Sequence, residues 1–390
     1  VLFRQAFCGS PSCSASRTAL MTGQYPHTNG VIGLVHRGFS MHEPERHLSH
    51  LLKVNGYATQ LFGFQHEVGW NSSGELLGYD DVQPDLPRES LTRAQLAADW
   101  LAKAPQEPFF LNMGFVETHR VFSEVEPPED ERYTAPLPYL PDTPAVRRDV
   151  AELQTDVRHL DEAMGIILDR LDTEKFSDNT LVIYTTDHGL AFPRAKATLF
   201  DAGTGVALVM RGPGFEEGLV TDALLHQIDL LPSLCDYLDI PVPEGTQGVS
   251  QLDVMTGESD SIRDEVFTEL TYHASYDPAR AVRTDRHKYI RHFEERPRWV
   301  LPNTDNGHSK TVLSDAGLPQ SDRPSEYLFD LCADPQEFEN LAQSPGHQDI
   351  LKQLSGRLDS WMEETDDPMR TGYVPPQDGA TITPFDQFDP

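Results

Sequence analysis

The sequence predicts an α/β fold: a mainly parallel sheet covered by helices on both faces, then a smaller α/β unit containing a short antiparallel sheet. Three observations lead there. Amphipathic helical stretches alternate with short apolar runs through the first two thirds of the chain, the order that parallel strands with helical crossovers require. Those runs are apolar throughout rather than at every second residue, which marks strands buried between layers. From about Val242 the texture changes to "VPEGTQGVSQLDVMTGESDS", rich in Gly, Ser and acid, and reads as a connection between domains.

Each element has a local reason. "VLFRQAF" at the start is strand-like. Leu48, Leu51, Leu52 and Val54 describe a short helix that stops at Asn55-Gly56, and "ATQLFGF" follows as a buried strand. Leu91, Ala94, Leu96, Ala97, Trp100 and Leu101 form a helical stripe before "PFFLNMGFV", a run too apolar for an exposed strand. The longest helix carries Val146, Val150, Leu153, Val157, Leu160, Met164, Ile167 and Leu171 on one face, with Pro144 near its start and Thr143 as its cap. "NTLVIYTT" and "VALVMR" are further strands, and "HQIDLLPSLCDYL" is a helix interrupted or started by Pro232. Beyond the connection, "EVFTEL", "RAVRTD" and "HKYIRHF" read as short antiparallel strands and "QDILKQLSGRLDSWMEE" as an amphipathic helix. Asp366 to Pro390 is Pro- and Gly-rich and reads as an irregular tail that wraps or frays. The expected domains are residues 1–256 and 257–390.

Composition narrows the function. The chain has 390 residues, with 62 acidic against 31 basic and a formal net charge of −31. Such a surface repels nucleic acid and anionic lipid at long range, so an anionic substrate needs a local cationic pocket. No apolar run approaches the length of a membrane span. The four cysteines, Cys8, Cys13, Cys235 and Cys332, lack the CxxC spacing of a zinc site, and a disulfide framework does not suit a chain of this length.

In a parallel α/β sheet ligands gather at the carboxyl ends of strands. Three strands end in polar groups: "LFGF" is followed by Gln65-His66-Glu67, "PFFLNMGFV" by Glu117-Thr118-His119-Arg120, and "LVIYTT" by Asp187-His188-Gly189. One histidine at a strand end is usually structural, but three strands delivering His66, His119 and an Asp-His pair to one edge make a candidate site. Asp187-His188 offers a hard oxygen and a nitrogen to a divalent cation. Lys196, in a chain poor in lysine, offers a point charge for an anionic oxygen. Cys13, in "SPSCSASRTALMTG", stands at the amino end of a helix, where the macrodipole and free N–H groups suit an anion and a nucleophile. A buried structural cysteine fits that position equally well.

Cys13-Ser14-Ala15-Ser16-Arg17, continued by Leu20-Met21-Thr22-Gly23, resembles the type I sulfatase signature, C-x-P/A-S-R followed by threonine-glycine. "PFFLNMGFVETH", "NTLVIYTTDHG", "AKATLFDAGTGVALVMRGPG" and "SEYLFDLCADPQEFENLA" resemble sulfatase segments in the same order. "HTNGVIGLVH", "PYLPDTPAVRRDV" and "TYHASYDPARAVRTDRHKYI" resemble the heparan N-sulfatase (sulfamidase) branch. The resemblance implies a doubly wound α/β domain of the alkaline phosphatase superfamily with a smaller C-terminal domain. It implies hydrolysis of a sulfate ester or N-sulfate of a sulfated saccharide. It also implies a Ca2+ ion, with Mg2+ as the alternative, and a formylglycine made from Cys13 by a maturase, whose hydrate attacks sulfur.

By the same resemblance, Arg17 steadies the formylglycine, while Asp187, His188 and the side chain at position 13 hold the metal. His66 and His119 match the two sulfate-site histidines, one of them a general acid, and Lys196 grips a sulfate oxygen. His273 and Arg280 fall in a segment expected to reach the sugar. The family's strand of paired aspartates is expected before Val1, and export to the periplasm or beyond is common among similar proteins. Two departures stand out: Phe64 occupies the place of a lysine, and Ala15 that of the commoner proline. The rival readings are a phosphonate monoester or phosphodiester hydrolase, and a degenerate homologue that binds sulfated glycans without cleaving them.

Overall fold

The computed structural model describes residues 1–69, 74–83, 89–296 and 298–390. Its first part carries strands β1 (Leu2–Phe3), β2 (Ala6–Phe7), β3 (Ala58–Gly63), β4 (Asp81–Gln83), β5 (Phe109–Gly114), β6 (Val182–Thr185), β7 (Leu208–Arg211), β8 (Val220–Thr221) and β9 (Leu225–His226). Helices α1 (Cys13–Thr22), α2 (Pro26–Asn29), α3 (Leu48–Val54), α4 (Ser90–Leu101), α5 (Pro144–Thr173), α6 (Asp201–Thr204), α7 (Leu230–Tyr237) and α8 (Leu252–Met255) interleave with them. The rest consists of β10 (Glu265–Tyr272), β11 (Tyr276–Thr284), β12 (His287–His292), α9 (His308–Asp315), β13 (Glu326–Asp330) and α10 (Gln348–Glu364).

The strands of the first part fall into three sheets. β4, β3 and β5 lie side by side and parallel, with Leu61 of β3 opposite Asn112 of β5. A second sheet has the order β6-β7-β1-β8, and β2 pairs in parallel with β9. β7, the expected strand "VALVMR", runs antiparallel to both β6 and β1, so the parallel arrangement is interrupted there. β5 and β6, expected to be buried, are half-buried because they border a cleft of about 1380 Å³.

α5 forms where expected. The Thr143 hydroxyl accepts the Val146 N–H at 3.3 Å, and Pro144 occupies the first turn, where a missing N–H costs nothing. Leu171, Ile167 and Ala163 pack against Ala94 and Leu101 of α4. Burying each such large side chain stabilises the fold by about 1.5–3 kcal/mol. The turn after α1 needs glycine: Gly23 sits at φ +66°, and a Cβ there would approach the Thr246 methyl to 2.9 Å. Thr246 belongs to the expected connection, which is packed rather than free: Gln247 N–H donates to Gly23 O at 2.8 Å and Val249 N–H to Asp229 Oδ1 at 2.8 Å.

The carboxyl-terminal sheet has the order β10-β11-β12-β13, antiparallel throughout. One face packs Phe267, Val282, Tyr289 and Leu328 on Leu354, Leu358 and Trp361 of α10. The other buries Ala281, Ile290 and Phe329 against Ala197, Leu199 and Phe200. The segment from Asp366 onward has little regular structure, but it wraps: Gln377 Nε2 donates to Gly30 O at 2.9 Å, and Thr381 N–H to Arg37 O at 2.7 Å.

Candidate active site

Cys13 is the first residue of α1, and Ser12 precedes it in extended conformation without capping the helix through its side chain. The Ser12 hydroxyl instead meets His273 Nδ1 at 3.1 Å. The uncapped first turn therefore presents its N–H groups and the positive end of its dipole around Cys13, which is 4% exposed.

The other groups arrive on loops beyond the sheet edges. β6 ends at Thr185, and the turn after it delivers Asp187 and His188. Gly189 there admits no side chain, since a Cβ would lie 1.9 Å from Ala202 O. His188 donates Nδ1–H to Gly189 O at 2.7 Å, which aims Nε2 at Cys13 Sγ, 3.3 Å away. Asp187 Oδ2 accepts Arg17 Nε–H at 2.9 Å, tying α1 to the β6 loop. His119, past β5, donates Nδ1–H to Arg120 O at 2.6 Å, so its Nε2 faces Lys196 Nζ at 3.3 Å. Arg120 is fixed by two hydrogen bonds to Asp149, at 2.6 and 2.8 Å, and by the rings of Phe122 and Phe192.

Electrostatics follow from this packing. Burial opposes a thiolate at Cys13, but Lys196, His188 and His119 outweigh it and hold the thiol well below its ordinary value. Burial likewise opposes charge on His188, yet Asp187 and an anionic position 13 raise it to about 9. Asp187 is lowered against its own burial by His188 and Arg17, and Lys196 is raised against burial by position 13 and Asp305. The site is built to hold negative charge at position 13.

The cleft beside β5 and β6 is lined by Cys13, Arg17, His66, His119, Asp187, His188 and Lys196, so seven of the nine expected residues come together. His66 stands at one side, with Nε2 at 2.8 Å from His36 Nδ1 and the two rings stacked. Phe64, where the resemblance expects a lysine, presents its ring 5.2 Å from the Arg17 guanidinium. His273 is buried behind the site against Ser12, and burial lowers it to about 3, so it is a neutral supporting group.

Arg280 does not reach the cleft. It is fully buried, with Nε and Nη2 donating to Asp367 at 2.6 and 3.0 Å and Nη1 to Leu270 O at 2.8 Å. Its place on β11 points it into the contact with α2 and the wrapped segment, where its charge is matched by two carboxylates. Two site residues escaped the sequence reading. His36 follows no strand, so the strand-end rule passes over it. Asp305 lies in "NTDNG", which reads as an ordinary turn, yet its Oδ2 accepts from Lys196 Nζ at 2.8 Å.

Cys13, Asp187 and His188 bring a sulfur, a carboxylate oxygen and an imidazole nitrogen within 4.8 Å of one another. This set fits one side of a divalent-cation shell. It holds one hard oxygen donor, where calcium takes six to eight, so these three residues do not by themselves select calcium.

A cysteine at an uncapped helix start, faced by cations and metal-type donors beyond the carboxyl ends of α/β strands, is an arrangement suited to an anionic ester. The chain belongs to the sulfatase family, whose model, "Sulfatase", matches residues 1–240, and it is accordingly a sulfuric ester hydrolase. A second model, "N-sulphoglucosamine sulphohydrolase, C-terminal", matches residues 188–315. The human N-sulphoglucosamine sulphohydrolase is 28% identical, over 94% of this chain and 84% of its own. A solved 2-O GAG sulfatase superposes with a TM-score of 0.72 at 23% identity, covering 96% of this chain and 87% of the other. The phosphonate monoester hydrolase from Silicibacter pomeroyi superposes with a TM-score of 0.66 at 19% identity, covering 94% and 89%. These two likenesses describe the fold, which is of the alkaline phosphatase type.

Proposed function

We propose that this chain removes sulfate from a sulfated sugar, with the N-sulfate of glucosamine ahead of an O-sulfate. The nucleophile is formylglycine made from Cys13 by a maturase, and residues 1–256 form the catalytic unit. The observation that carries the reading is position 13, set at an uncapped helix start with His188 Nε2 at 3.3 Å and with Lys196 and His119 beside it. The likeness to the human N-sulphoglucosamine sulphohydrolase supports the sugar.

In this reading one hydroxyl of the hydrated aldehyde would attack sulfur as the amine or alcohol leaves, and the other would expel sulfate and restore the aldehyde. Asp187, His188 and side chain 13 would hold a hard divalent cation, calcium before magnesium, which when bound would supply Lewis-acid stabilisation of a sulfate oxygen. The residues of the chain do the rest. The first turn of α1 and the Lys196 ammonium hold negative oxygens, and because both are fixed before substrate arrives they need no reorganisation in the transition state. Arg17, locked on Asp187, keeps α1 and the β6 loop in register. His119 Nε2, directed at the reaction centre, is the ring atom through which a proton would pass to the departing amine or alcohol. Lys196 Nζ, 3.3 Å away, keeps that ring atom at the reaction centre.

The rival of a different selectivity is phosphonate ester hydrolysis, which the Silicibacter pomeroyi neighbour's fold accommodates. Mass spectrometry of the peptide spanning Cys13, from protein made with a maturase, should show aldehyde or hydrate. Turnover should favour sulfated sugars over phosphonate esters and vanish in Cys13→Ala. Unmodified thiol with undiminished turnover removes the nucleophile, and a strong preference for phosphonate reassigns the substrate.

A further inference from the structure

Lys196 takes its only carboxylate hydrogen-bond partner among the described residues from far along the chain. Its ammonium, 2% exposed, lies 2.8 Å from Asp305 Oδ2. Asp305 sits in the turn after the short 3-10 segment Leu301–Asn303, on the carboxyl-terminal side of the molecule. A buried ammonium has lost its water, and one carboxylate at this distance both sustains the charge and sets the direction in which Nζ points. On its other side Nζ reaches His119 Nε2 at 3.3 Å, so the lysine bridges Asp305 and the reaction centre.

The turn that carries Asp305 is itself held in place. Lys310 Nζ donates to Thr304 O at 2.7 Å and to Asn306 Oδ1 at 2.8 Å, one residue to either side of Asp305. Its third donor goes to Phe388 O at 2.7 Å, in the wrapped segment, and the Phe388 ring lies 4.5 Å away. Lys310 is 1% exposed and all three of its N–H groups are used. Asn306 Nδ2 completes the tie with Asp389 Oδ1 at 2.9 Å. One buried cation thus clamps both flanks of Asp305 to residues 388–389.

We propose that Asp305 is the positioning residue of Lys196, and that Lys310 with residues 388–389 holds Asp305 on target, which makes the wrapped segment part of the catalytic apparatus. The inference rests on Lys196 gripping a sulfate oxygen. A clamp of this kind acts on the rate rather than on folding, because a shift of about 1 Å at a group that touches the reacting atoms costs about 10²-fold.

The test compares wild type, Asp305→Asn, Lys310→Met and a chain lacking residues 387–390, each matured at Cys13. Three quantities are measured: kcat and KM on a sulfated sugar that wild type cleaves, the thermal midpoint, and the rate of acetic anhydride acylation at Lys196 at pH 8 by peptide mass spectrometry. Asp305→Asn keeps the shape and an acceptor oxygen but not the charge. It should lower kcat/KM by about 10²-fold, mostly in kcat. Acylation of Lys196 should quicken, since the neutral amine becomes more populated. Removing residues 387–390 should move both quantities in the same directions by about 10-fold, and Lys310→Met should do likewise. Wild-type kcat/KM and wild-type acylation in Asp305→Asn overturn the proposal. A shortened chain with a lower thermal midpoint but unaltered Lys196 chemistry overturns the part assigned to the wrapped segment. If wild type cleaves no sulfated sugar, the substrate reading fails, while acylation still decides whether Asp305 governs Lys196.

Discussion

Position 13 collects charge that no single neighbour supplies. Lys196 and His188 face it from the one segment between β6 and α6, the start of α1 carries it, and His119 beyond β5 completes the circle. The hydrogen bond from His119 Nδ1 to Arg120 O turns Nε2 toward the cleft, where the proposed mechanism uses it as the general acid. His119→Gln would remove that proposed acid and keep a polar side chain. On a sugar sulfate, whose leaving group needs the proton, kcat should fall by about 10²- to 10⁴-fold. On nitrophenyl sulfate, whose leaving group departs as an anion, the loss should stay below roughly 10-fold. Equal losses on the two substrates would take the acid role from His119. Its place was legible in the sequence, because a polar group just past an apolar strand has few other destinations. The stacking of His66 on His36 was not, since it depends on where a loop without a preceding strand comes to rest.

The elements show the same division. α5 was readable from its stripe, its Pro144 and its Thr143 cap, all of them local signals. The direction of β7 was not, because a strand's side-chain pattern is the same whichever way it runs. α3 carries a testable local device. His47 is fully buried at its N-cap, where Nδ1 accepts the Ser49 N–H at 3.3 Å, and burial lowers the ring to about 3. Below its unfolded value near 6.5 only the unfolded chain takes up the proton, so stability is complete above that pH and falls as pH drops toward 3. His47→Asn keeps a capping acceptor and does not titrate. Between pH 6 and 4, wild type should lose stability relative to the variant by about 1.4 kcal/mol per pH unit. Parallel urea-derived stability curves for the two proteins would place the titration elsewhere.

At the scale of the molecule, the contact between the two parts is ionic as well as apolar. His27 of α2 pairs with Glu269 of β10, and Arg280 of β11 sits between Glu269 and Asp367. All four side chains are buried. Burial opposes the charge on His27, but Glu269 raises it above its ordinary value, which adds to the positive side of the cluster. Arg280→Met should cost about 3–5 kcal/mol, since it leaves Asp367 buried without its cation and Glu269 with His27 alone. At a temperature where the variant is folded, KM for a sulfated sugar should stay at the wild-type value. Denaturant unfolding and steady-state kinetics check the two statements, and a raised KM with unchanged stability would return Arg280 to the sugar site.

The sequence by itself determined the alternation of helices and strands, the helix that begins at Cys13, and the three strand ends that carry His66, His119 and Asp187-His188. Each follows from residues within a turn or a strand of one another, where propensity and periodicity act. Only the tertiary structure decided that Arg280 is a buried counter-ion, that His273 lies behind Cys13, that Asp305 pairs with Lys196, and that Phe388 O meets Lys310. Those pairings join residues 78 to 261 positions apart, and they are fixed by which polar groups burial forces together, a choice that no local pattern encodes.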